Sequence, residues 1–261
     1  MKLAARGTLA SIVVGGLLAI GSVAPTYAVQ APSPLVPEAN AAIGARPCRP
    51  EAIAARDNGV GNLRTLGDCE IDRRLDTITK LQARVAGAAA LTAADRAALQ
   101  SQLAADTSGL TALRTQIDHE TNVGALRADL EKIVTDFRVY LLMAPKAADV
   151  IAADNELAAV ARLGTLNTKL QARIDAAHAA GKDVTRAKSD LDAMNAKVAL
   201  VSPLVQGVPA AVLLLTPAQY KGGTAAPILA SSRTSLQAGR GLLAGARADA
   251  RACVAALKAL G

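Results

Sequence analysis

Apolar side chains return every three or four residues along most of this chain. Ile71, Leu75, Ile78, Leu81 and Val85 mark one helical face. Leu99, Leu103, Leu110, Leu113 and Ile117 mark a second, opened by Thr92 as N-cap with Asp95 three residues on. Leu126, Leu130, Ile133, Phe137 and Tyr140 form a third stripe, expected to stop near Pro145. A fourth helix is expected from about Ala147, showing Ile151, Leu157, Val160, Leu163, Leu166, Leu170 and Ile174, and ending at Gly181. Asp183 is the expected N-cap of a fifth, with Val184, Leu191, Met194, Val198 and Val201, stopped by Pro203. The last helix carries Leu229, Leu236, Leu243, Ala250 and Leu257 at strict intervals of seven, a period that favours a left-handed supercoil. The strand signature of alternation is nearly absent. The pattern predicts an all-α fold, an elongated up-down helical bundle or a set of coiled-coil hairpins with five to six long helices.

The same pattern divides the chain. Residues 29–68 read as a Pro/Gly-rich leader with room for a short helix, and 57–68, with three glycines, as loop. Residues 69–202 read as the bundle core, 203–228 as an apolar Pro/Gly-rich crossover, and 229–261 as the heptad helix packing on the bundle. Residues 198–220 hold no charge across 23 positions, enough to span a bilayer, but Pro203, Pro209 and Pro217 interrupt them. A crossover is the favoured reading, and stable membrane insertion of the mature chain is not expected. Two blocks echo each other: Arg74-Leu75-Asp76-Thr77-Ile78 with Arg162-Leu163-Gly164-Thr165-Leu166, and the run from Lys80 to Val85 with that from Lys169 to Ile174. Duplication of a helical unit and chance similarity in alanine-rich sequence both account for this.

The first 28 residues have the three parts of a secretory signal. Lys2 and Arg6 precede an apolar stretch, and Thr26-Tyr27-Ala28 supplies the cleavage site. Cleavage near Ala28 would send the mature chain to the cell envelope or the extracellular space. Losing Lys2 and Arg6 lowers the formal charge from +7 to +5.

Composition narrows the chemistry. The chain has 60 Ala and 34 Leu, ample for a core of closely spaced helices. One Phe, three Tyr and no Trp leave little for stacking on bases or sugars, and the basic residues are interleaved with acids, so nucleic acid is not an expected partner. An envelope protein, an anionic surface polymer or a second copy of the chain fits the mild positive charge better. Nucleotide-binding, nucleophile-elbow and zinc-protease motifs are missing, and the serines have no histidine near them in sequence. His119 between Asp118 and Glu120 cannot converge with them on one helix face. Asp175 and His178 share a face but lack the second copy that a helical metal site needs. No catalytic residue, metal site or cofactor is expected.

Three cysteines allow one intrachain disulfide and one leftover thiol, and export makes oxidation plausible. Cys69 with Cys253 is slightly favoured, because the ends of the first and last long helices meet in an even-numbered bundle. Cys48 with Cys69 is the near-equal alternative, and three free thiols the bland one. The most distinctive string runs from Asp129 to Tyr140 and on through Leu141-Leu142-Met143-Ala144-Pro145-Lys146. With Leu91 to Asp95 and the Arg74-Leu75 block, it resembles uncharacterised secreted helical proteins of high-GC bacteria, a resemblance that brings no functional residues. Phe137 and Tyr140 read most simply as core anchors, and more sharply as a small interaction surface. The expected function is that of an exported, non-enzymatic structural or interaction protein. The alternatives are a helical-bundle binding protein for an apolar or anionic ligand, and a hydrolase whose residues meet only in three dimensions.

Overall fold

The structure, a computed structural model, describes residues 48–260. The expected signal segment and its cleavage site, and the leader up to residue 47, lie outside the described residues. The described chain is all-α, with no strand among its residues. Its helices are α1 (Arg49–Ala54), α2 (Val60–Gly87), α3 (Ala93–His119), α4 (Val123–Thr135), α5 (Ala144–Ala179), α6 (Thr185–Val205), α7 (Val208–Leu213), α8 (Pro217–Lys221) and α9 (Ala225–Ala259). A 3-10 turn at Ala55–Asp57 follows α1, and a π-helical turn at Val139–Met143 runs directly into α5.

Two groups of three helices build the core. α2 and α3 form a hairpin against which α4 packs, while α9 lies along α6 and α5, and α7 rests on α5. The apolar stripes are what these contacts bury. Ile71, Val85, Leu99, Leu103, Leu110, Ile117 and Leu126 are wholly inaccessible, and the α9 heptad positions Leu229, Leu236, Leu243 and Ala250 are buried. Local chemistry sets the helix ends. Thr92 Oγ accepts the Asp95 N–H at 3.1 Å, and Asn122 Oδ1 accepts the Ala125 N–H at 3.0 Å. Arg96 donates to the carbonyls of Val85, Ala86 and Ala88, placing a cation where the α2 dipole is negative. Asp154 of α5 accepts the Thr92 N–H at 2.7 Å and so ties the α2–α3 hairpin to the second helix group.

Several expected boundaries move. α2 starts at Val60, inside the stretch expected to be loop, because burial of Leu63 outweighs the weak helix propensity of Gly61 and Gly67. The third stripe splits: α4 ends at Thr135, Arg138 takes a left-handed φ of 32°, and Tyr140 falls in the π-helical turn. Pro145 opens α5 instead of stopping α4, since the first turn needs no donor from it. α6 passes through Pro203 and ends at Val205. The segment expected to be an extended crossover is therefore largely helical, comprising α7, α8 and the start of α9. Lys146 fastens it: the buried Nζ donates to Gln102 Oε1 at 2.6 Å, Leu215 O at 2.8 Å and Leu213 O at 3.4 Å. Residues 185–213 are long and apolar enough, by length and composition, to cross a membrane.

The favoured cysteine pairing is corrected. Cys48 bonds Cys69 with Cα atoms 5.9 Å apart, and Cys253 is a buried free thiol. Cys69 lies within α2, which packs on α1, α3 and α4, whereas Cys253 belongs to α9, whose neighbours are α6 and α5. The helix ends that would have met belong to different groups.

Candidate functional site

The residues singled out for a surface are used internally. The Phe137 ring lies against Gly109 of α3, where a Cβ would come within 2.5 Å of Phe137 Cε1, so only glycine leaves the ring its place. Tyr140 is covered by the guanidinium groups of Arg74 and Arg73, 5.3 and 5.6 Å from its ring centroid, and Arg74 is itself held by Glu70 at 2.6 Å. Both rings are half-buried, and the exposed apolar residues nearby are Val134 and Leu141. Asp175 and His178 are exposed, and among the described residues no group of three His, Cys, Asp or Glu is arranged to hold a metal. Cys253 is buried, and burial followed by the nearby Asp190 raises its thiol pKa, so it is not an activated nucleophile.

A different place gathers chemistry. Along the seam between α5 and α9, with Arg84 of α2 at its side, lies a cleft of about 390 Å³. α5 contributes Asp149 and Glu156, seven residues apart and so on one face two turns from each other. Alanines at 148, 152 and 159 leave the open volume that larger side chains would fill. α9 contributes Arg240, Leu243 and Arg247. Arg240 and Arg247 are likewise seven apart, so Arg247 stands about 10 Å further along the helix.

The two acids differ. Glu156, 5% exposed, folds against α9 and accepts from Arg240 Nε at 3.2 Å. Its other oxygen has no partner and occupies the space above Gly239, where a Cβ would overlap it. Burial raises its pKa, and Arg240 partly offsets the rise. Asp149, 6% exposed, accepts no hydrogen bond from any described residue, and its Oδ2 is completely enclosed. Burial pushes its pKa up to about 6, with Arg233 and Arg240 pulling the other way. A carboxyl buried this far without a donor costs stability and is the exception in folded proteins. On the opposite side of the charge balance, Arg84 and Arg247 are exposed and form no ion pair with a described residue.

The cleft therefore offers an acceptor with no donor at one end, Arg247 at the other and Arg84 at its side, neither arginine ion-paired with a described residue. Among the described residues that line it there is no serine, threonine, cysteine or histidine. The sequence reading missed it because Asp149 and Glu156 are separated from Arg240 and Arg247 by about a third of the chain. The one available signal was an acid repeated at seven residues on the apolar face of α5, matched by Arg233, Arg240 and Arg247 at the same interval on α9. No protein-family model, curated protein or solved structure matches this chain.

Proposed function

We propose that the mature chain is an exported, non-enzymatic helical binding protein, and that the α5–α9 cleft holds a small zwitterion. The ligand's ammonium group would donate to Asp149, and its anionic group would sit by Arg84, which lines the same cleft. The observation that carries this reading is Asp149: a carboxyl nine-tenths buried, lining an open cleft, with no donor of its own. A cationic donor entering the cleft would satisfy it, and the unpaired Arg84 would take the opposite charge. Export is supported by the sequence of residues 1–28.

Calorimetric titration tests the reading. O-phosphoethanolamine is expected to bind measurably at neutral pH, and inorganic phosphate or ethylamine alone much more weakly. Equal affinity for phosphate and O-phosphoethanolamine would remove the role of Asp149, and no heat with any of the three would remove the site.

A further inference from the structure

Beyond the acids of the first cleft, the α5–α9 seam changes character. A second depression of about 340 Å³ is lined by Leu163 and Leu166 of α5 and by Arg247, Ala250, Arg251 and Val254 of α9. Leu163 and Ala250 are buried, Leu166 and Val254 half-buried, and the two arginines exposed. Apolar surface therefore forms the floor of this trough and positive charge its solvent edge. From Arg247 to Val254 it runs about 10 Å along α9. The charge around it has one sign. On α5, the exposed Arg162, Lys169 and Arg173 share one helical stripe with Leu166, at steps of four, three and four residues. On α9, Arg247, Arg251 and Lys258 flank Val254 at the same steps. None of these six basic side chains forms a hydrogen bond or ion pair with a described residue. α5 carries no acid between Glu156 and Asp175, and Asp175 falls on the far side of the helix from the stripe. Asp249, the one acid of this part of α9, is paired with Lys197 of α6.

We infer that this trough is a second binding site, for a fatty carboxylate. The carboxylate sits at the edge between Arg247 and Arg251, and the alkyl chain lies on the floor between Leu166 and Val254. Arg247 and Arg251 are four residues apart on one face, about 6 Å along the axis, so both guanidinium groups reach one carboxylate. The remaining basic residues of the two stripes draw an anion toward the seam. A small anion without a chain would leave the apolar floor in water, and an uncharged lipid would leave both arginines without a partner. The arginine stems can lie over the chain while their charged ends stay in solvent. This site uses neither Asp149 nor Arg84, so it stands or falls apart from the zwitterion of the first cleft.

The test is titration of the full mature chain with unbranched alkyl carboxylates of increasing length, each below its micelle concentration, beside alkylammonium ions of the same lengths. Carboxylate affinity is expected to rise about two- to fourfold per added methylene and to level off once the trough is filled. The ammonium series is expected to bind at least about tenfold more weakly. Arg251→Gln, at an exposed position, is expected to weaken decanoate binding about tenfold and to leave O-phosphoethanolamine titration as in the parent. Val254→Glu is expected to abolish decanoate binding, with helical melting by circular dichroism reporting whether it folds. If it does not fold, Arg251→Gln and the chain-length series still decide. Affinity independent of chain length overturns the trough as the seat of the chain. Equal affinity for the ammonium series, or decanoate binding unchanged in Arg251→Gln, overturns the arginine pair. Sedimentation of the chain with phosphatidylglycerol vesicles, without binding of any monomeric carboxylate, assigns the basic stripes to a membrane surface and overturns the site.

Discussion

At the scale of single residues, Asp149 sets stability against binding. Its pKa is raised in the folded chain, from 3.8 to about 6, so the fold holds its proton more tightly than the unfolded chain does. Its contribution to stability is therefore greatest below pH 3.8 and is lost as pH rises through about 6. Arg233 and Arg240 of α9 face it and offset only part of the burial cost. A rise of this size corresponds to roughly 3 kcal/mol of penalty at neutral pH. Asp149→Asn is expected to melt higher than the parent chain at pH 7, by up to about that amount, with the difference shrinking toward pH 4. The same variant is expected to lose O-phosphoethanolamine binding. Thermal melts across pH, with calorimetry at pH 7, check both halves, and a variant less stable at pH 7 than the parent would contradict the assignment of cost. None of this was legible in the sequence. The stripes showed which positions face inward, yet an acid on the α5 stripe looks like an interruption until the arginines of α9 are beside it.

At the scale of elements, the long helices were readable because their stripes repeat over many turns, whereas the short ones were not. α7 and α8 are six and five residues long and have little intrinsic stability. They are kept by side chains from elsewhere. Thr216 and Gln219 close a reciprocal capping pair on α8, and Lys146 grips the carbonyls at the end of α7. Burial lowers the Lys146 pKa to about 8, with Asp106 partly offsetting it, and raises that of Asp106 to about 6. Two effects of similar size then oppose each other in Lys146→Met: a desolvated charge is removed, and the Leu215 carbonyl loses its donor. The expected outcome is a melting free energy within about 2 kcal/mol of the parent, but faster hydrogen exchange across α7 and α8. Unchanged exchange there would show that the apolar contacts of Val208 and Val212 hold the segment by themselves. The third stripe failed for a related reason. Periodicity carried it past Thr135, while the left-handed turn at Arg138, whose guanidinium stacks on Tyr220 at 4.9 Å, redirects the chain.

At the scale of the described molecule, the Cys48–Cys69 bond closes a loop with a sequence separation of 21 and fixes α1 on α2. Restricting a loop of that length in the unfolded chain is worth about 3 kcal/mol at most. Reduction is expected to lower the melting temperature and to open α1 to proteolysis, while Cys253 stays unmodified by alkylating reagent until the helices melt. A reduced chain that melts with the oxidised one would show that α1 contributes nothing to the cooperative unit.

What the sequence determined by itself is the all-α character and the inward face of each long helix, because an apolar stripe sustained over several turns has only one way to leave water. Which helices become neighbours was decided by tertiary packing. Pairwise fit between helix faces, and not the period along any one of them, separated Cys69 from Cys253. The same fit laid the Asp149 carboxyl and the arginines of α9 along one seam.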